Sequence, residues 1–269
     1  MEVGGRRLAG ESQGDGPAIL LCHGLSATRR YVVHGSKHLP RRGYRLITYD
    51  ARGHGESDPA GSYGYEGLAE DLEAVIAALL PAADRGLILG GHSMGCHTAV
   101  RRALLNPEGV RALILAGPVF TGSADDDFRW DRRADALESG GPEAFAEVVA
   151  ENSPSEEVRE TTYRLARDRA RLHRHAGAVA EALRQVPRSK PFDSVEELSA
   201  IAVPALVVAS HDEFDPGHPR HVAERWAESI PGAKLVGEKP GESPLAWQGG
   251  LMSREIEDFL SEHGLAPDR

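Results

Sequence analysis

The chain has 269 residues, 41% of them hydrophobic and 27% charged, the balance of one globular domain with room for an insertion. A formal net charge of -10 argues against a nucleic-acid or anionic-membrane partner, since both need a basic face, and says nothing more about substrate; the expected partner is a small molecule. Two cysteines, Cys22 and Cys96, form neither a disulfide framework nor a metal-ligand pattern and read as small buried thiols.

Residues 1–16 lack a basic segment followed by an apolar run, and no apolar stretch approaches the length of a bilayer. The expectation is a cytoplasmic protein without metal or cofactor. Ala18 to Cys22 is a continuous apolar run that stops at His23-Gly24, as a strand covered on both faces should. Arg45 to Tyr49 is the next strand. Leu68, Leu72, Val75, Ile76 and Leu79 share one face of a helix over 68–80. Leu87 to Gly90 is a strand entering a glycine-rich turn, and Met94 to Leu105 is the helix that follows, closed by Asn106-Pro107. Val110 to Ala116 is a further strand. The alternation then breaks. Residues 121–200 contain no convincing strand and are punctuated at Gly140-Gly141-Pro142, Ser153-Pro154 and Val186-Pro187, which reads as a helical lid inserted between core segments 1–120 and 201–269. Winding resumes with a strand over 204–209, a helix over 219–229, a strand over 234–236 and a last helix over 251–263. Strands alternating with helices predict a mostly parallel sheet flanked on both faces.

Gly91-His92-Ser93-Met94-Gly95 is the strongest chemical signal. A G-x-S-x-G run between strand and helix makes a sharp turn whose glycines let backbone pass close by, so that the serine hydroxyl projects above the sheet at a helix N-terminus. The turn at His23-Gly24-Leu25, after the first apolar strand, can aim the Leu25 N–H at the same space. With the Met94 N–H it would form an oxyanion hole. His23 itself reads as a turn residue that packs and hydrogen-bonds.

Asp50-Ala51-Arg52-Gly53-His54-Gly55-Glu56-Ser57 completes a pattern. With H-G after a strand, G-H-S-M-G, and an acid after a late strand, in that order, the chain resembles the α/β-hydrolase superfamily, in its lidded branch of esterases, thioesterases and iminopeptidase-like enzymes. The likeness spans nearly the whole chain except the insertion. It implies an α/β-hydrolase fold, Ser93 as nucleophile, and Asp50, Arg52 and His54 as scaffold. It also implies an acid in Ser210-His211-Asp212-Glu213-Phe214-Asp215-Pro216, where Asp212 is favoured over Asp215 because it lies nearer the strand end.

The family's histidine is missing. No histidine lies between the last strand and the last helix, and Glu242 occupies the nearest slot, after Gly241. Serine is a poor nucleophile without a base. Glu242 is one candidate, since an adjacent Asp212 carboxylate would raise the pKa of one of the pair. His173 or His175 could descend from the lid, although both read more simply as surface histidines. His218 and His221 follow the acid loop but are expected at the start of a helix leading away from the site, and His263 is too far along the last helix. The remaining case is no base at all. Arg30, beyond the oxyanion turn, could pair with an anionic substrate group, and Trp247 could line an apolar pocket. Three readings stay open: a serine hydrolase of a small ester or thioester with an atypical triad, a non-hydrolytic lyase, decarboxylase or cyclase using only the oxyanion hole, and a catalytically silent binding protein.

Overall fold

A computed structural model describes residues 1–80, 86–151, 153–211 and 214–267. The N-terminus forms a two-stranded antiparallel ribbon, β1 (Glu2–Val3) with β2 (Arg6–Arg7), that the apolar pattern does not announce. β3 (Gly10–Gln13) then pairs antiparallel to β5 (Arg45–Tyr49) at the edge of the main sheet. β4 (Ala18–Cys22), β5, β6 (Leu87–His92), β7 (Val110–Ala116), β8 (Ala205–Ala209) and β9 (Lys234–Gly237) are parallel, in the spatial order β3-β5-β4-β6-β7-β8-β9. The order reverses at β4, so the turns after β4 and β6 open side by side at the carboxyl edge.

Side chains of period two divide the sheet between two cores. Ala18, Leu20 and Cys22 of β4 face one way, among residues of α2 (Tyr65–Leu79), α3 (Met94–Leu105) and α7 (Arg220–Ser229). Ile19 and Leu21 face the other way, among residues of α1 (His38–Arg41) and α8 (Gly249–Glu262). All five β4 side chains are buried, which is why the run carries no polar alternation. Burying each such aliphatic side chain contributes roughly 1.5–3 kcal/mol. Both cysteines are buried and free, and burial pushes the Cys22 thiol up to about 12.

Between β7 and β8 the chain folds into α4 (Arg129–Ala150), α5 (Glu156–Ala170) and α6 (Ala176–Gln185). Gly141 breaks α4 at φ 69°, and Pro142 opens the second half, so the glycine-proline punctuation marks a kink. The three helices share an apolar centre around Leu137, Phe145, Val179 and Leu183. Ala178 and Ala182 of α6 also pack on Met94, Tyr65 and Leu68, which seats this helical layer over the N-terminus of α3. No helix among the described residues is long and apolar enough to cross a membrane.

Candidate active site

β6 runs directly into α3 through Ser93, whose φ of 51° and ψ of -119° lie far from either element. A non-glycine residue held there stores about 1–3 kcal/mol of strain. The flanking glycines permit it. A Cβ at Gly91 would lie 2.3 Å from the Cys22 carbonyl oxygen, and one at Gly95 would lie 2.2 Å from the same oxygen. The bend is fixed by the Ser93 N–H, which donates to the Ala116 carbonyl at 2.8 Å. The Ser93 side chain makes no hydrogen bond among the described residues and does not cap α3.

The turn after β4 comes against this bend. A Cβ at Gly24 would sit 3.5 Å from Ser93 Cβ. The N–H groups of Leu25 and Met94 donate to no acceptor among the described residues. The Leu25 side chain packs against the helical layer.

Four buried or half-buried histidines near these turns are committed at both ring nitrogens. His23 Nε2 accepts from Ala51 N at 2.9 Å while Nδ1 donates to the Gly24 carbonyl at 2.8 Å. His54 Nε2 accepts from Ser26 N, and its Nδ1 donates to the Arg52 carbonyl. His97 lies between Tyr65 Oη and Val119 N. His173 is not the surface residue expected: it follows the end of α5, accepts from Gly55 N at 2.9 Å and donates to the Ser26 carbonyl at 3.1 Å. It ties the helical layer to the loop after β5 and has no nitrogen left for Ser93. Burial lowers all four, His173 to about 4 and His97 to about 3. The unfolded chain protonates near pH 6.5. Below that pH the unfolded state therefore holds more protons than the folded one, and stability should fall steadily as pH drops from about 6.5 to 4. Urea midpoints that stay flat across this range would contradict the assignment.

Asp212 and its neighbour 213 lie outside the described residues. Asp215, its competitor, is buried, and both of its carboxylate oxygens lie 2.9 Å from His218 Nδ1. His218 departs from expectation. α7 begins only at Arg220, after Pro219, so His218 sits in the loop and its ring turns back over the sheet edge. It meets His92 edge-on at 4.6 Å between ring centroids. A Cβ on Gly117, the residue after β7, would lie 3.1 Å from both His218 Cδ2 and His92 Nε2. The pair thus lies beside the residue that precedes Ser93. Burial works to raise the Asp215 carboxyl, but His218, then His92 and Arg169, hold it below its ordinary value. His92 is pushed well below the usual imidazole range by burial and by His218, and its Nε2 is buried without a partner. His92, Asp215 and His218 bring donor atoms within 4.8 Å of one another, a set that would also suit one divalent transition ion.

The other candidates are placed elsewhere. Glu242 is exposed, and its carboxylate folds onto the Lys239 N–H at 3.3 Å. The buried carboxylate of that segment is Glu238, which accepts from His211 N at 2.6 Å and Leu245 N at 2.8 Å, tying the loop after β9 to the loop after β8. Trp247 packs against the apolar cluster on the α8 side of the sheet. Arg30 is exposed, whereas its neighbour Arg29 is bound to Asp50 and Glu56. His175 precedes α6 and lines a surface groove with Pro59 and Tyr63. His221 is exposed on α7. Asp50 also accepts from Glu56 N at 3.0 Å, and Arg52 forks onto Asp71, so the D-x-R-G-H-G segment is bonded into the scaffold.

The chain is similar to several hydrolase-fold proteins. A Variovorax paradoxus protein provisionally named as the carbamate hydrolase RutD is 27% identical over 249 residues, 92% of each chain. The AB hydrolase superfamily protein YisY of Bacillus subtilis is 31% identical over 84% of each chain. The crystal structure of an enol-lactonase from Burkholderia xenovorans superposes with a TM-score of 0.77 at 24% identity, covering 96% of this chain and 98% of that one. The model of the alpha/beta hydrolase fold family matches residues 17–249, and the chain belongs to that family.

Proposed function

We propose that Ser93 is the nucleophile of a carboxylic ester or thioester hydrolase, with His218 as its base and Asp215 as the group that orients that base. The observation that carries this reading is the Asp215–His218 pair at 2.9 Å, built on the loop after β8 and lying against His92, one residue before Ser93. A carboxylate on Nδ1 leaves Nε2 as the basic nitrogen and stabilises the imidazolium. Ser93 Oγ attacks the acyl carbon and its proton passes to His218 Nε2. The carbonyl oxygen becomes an oxyanion facing the Leu25 and Met94 N–H groups. Collapse expels the alcohol or thiol, which takes the proton from His218. Water, activated in the same way, then releases the acid and restores Ser93. Unbonded serine hydroxyls are common before substrate binds, because catalytic hydrogen bonds tighten in the complex.

His218→Ala should lower the hydrolysis of 4-nitrophenyl acetate by about 10²- to 10⁴-fold, and slow fluorophosphonate labelling of Ser93 in parallel. Glu242→Gln should change neither by more than about twofold, as for an exposed side chain outside the site. The reverse pattern would return the base to the loop after β9. A chelator should have no effect; loss of activity on chelation, restored by zinc, would assign His92, Asp215 and His218 to a metal instead.

A second reading rests on the same unbonded hydroxyl. The two free N–H groups would polarise a carbonyl without acyl transfer, as in a lyase or decarboxylase. Absence of covalent labelling at Ser93 favours it.

A further inference from the structure

We infer that the substrate carries a carboxylate, and that Arg169 of α5 binds it; this rests on the reading of Ser93 as the reacting centre. The arginines of the helical layer are mostly spent on surface ion pairs. Arg132, Arg159, Arg167, Arg171, Arg184 and Arg188 each meet at least one Asp or Glu. Arg169 meets none among the described residues. It stands in the last turn of α5 and points inward, its guanidinium carbon 5.0 Å from the Tyr31 ring centre. Its Nε is buried and has no acceptor. Its charge acts on His34, His92 and Asp215, so it lies toward the cluster formed by His92, Asp215 and His218.

A guanidinium taken out of water is stabilised only when its donors find acceptors. The near carboxylate does not serve: Asp215 is turned onto His218 and makes no ion pair with Arg169. Tyr31 supports one face by a cation–π contact and His34 packs edge-on against Tyr31 at 5.6 Å, so the ring stack steadies the cation without neutralising it. What fits is a planar anion that accepts two parallel N–H bonds, the geometry of a carboxylate. Asp215 nearby makes a doubly charged phosphate a poorer match than a singly charged carboxylate. In a chain of net charge -10, an arginine with a buried Nε and no carboxylate partner among the described residues, stacked on Tyr31 in the loop that follows the β4 turn, is a specificity element.

The test uses two pairs of esters that differ only in charge: 4-nitrophenyl hydrogen adipate against its methyl ester, and 3-acetoxybenzoate against methyl 3-acetoxybenzoate. These place the carboxylate on the acyl side and on the alcohol side. Wild-type protein should prefer the charged member of at least one pair by tenfold or more in kcat/KM. Arg169→Gln should bring that ratio close to one, and Arg169→Lys, which keeps the charge but not the fork, should retain part of it. A wild-type ratio near one or below in both pairs, or a preference that survives Arg169→Gln, would overturn the inference. If neither pair is hydrolysed, the failure belongs to the hydrolase reading, and calorimetric titration with adipate separates the two. Binding to Ser93→Ala but not to Arg169→Gln upholds the carboxylate site, and equal binding or none to both removes it.

Discussion

Ser93→Ala is expected to reduce ester hydrolysis by at least about a thousand-fold and to abolish covalent labelling by a fluorophosphonate. The fold should survive the change, because Ser93 contributes no side-chain hydrogen bond and alanine relieves nothing that the flanking glycines do not already permit. The two N–H groups at Leu25 and Met94 remain after the substitution, so a residual rate above that of water is expected from oxyanion stabilisation alone. Turnover by Ser93→Ala equal to wild type would remove covalent catalysis from this site. Ligand binding with normal affinity but no turnover in wild type would instead favour the silent binding protein.

Asp71→Ala is expected to lower the free energy of unfolding by about 3–5 kcal/mol, measured by urea denaturation at neutral pH. Arg52 donates from Nε to Asp71 at 2.6 Å and from Nη2 at 2.8 Å, and both side chains are almost wholly buried. Removing the carboxylate leaves a buried guanidinium with the Ser62 carbonyl as its remaining hydrogen-bond acceptor. The loss should exceed that from Arg167→Ala, whose ion pair with Asp168 lies at the solvent-screened surface. A comparable effect from the two substitutions would contradict the view that Arg52 holds the scaffold. The same experiment separates stability from chemistry: activity per folded molecule should change far less than the folded fraction.

Much of this molecule is legible along the chain because its signals are local. A run such as Ala18 to Cys22 states its own burial, and the glycines around Ser93 mark a bend whose backbone could not tolerate side chains. The insertion between β7 and β8 was visible as the absence of strands and as turn residues, one of which breaks α4 at Gly141. The short ribbon β1–β2 and edge strand β3 were not visible. They are largely polar and exposed, and their pairing partners lie far away or in a two-residue ladder.

The proposed base was obscured for a different reason. His218 stands three residues after Asp215, a spacing that signals proximity only if the loop turns back before α7 starts. Reading the helix one residue too early sends that imidazole away from the sheet. His173 failed in the opposite direction, since a histidine among arginines gives no sign of the two backbone partners that bury it. Arg169 gives no sign at all; the nearby Arg167 and Arg171 have equal charge and face carboxylates at the surface.

By itself the order of residues determined a mostly parallel α/β sheet, a strained serine between two glycines, and the lack of a histidine between the last strand and the last helix, because each depends on neighbours within a few residues. Only the tertiary structure decided that the His218 ring packs on His92 and that Arg169 has no carboxylate partner among the described residues. Those facts depend on loops from β4, β6, β7 and β8 and on α5 meeting at one sheet edge, and hydrogen-bond and ion-pair partners so distant in sequence leave no periodic trace in it.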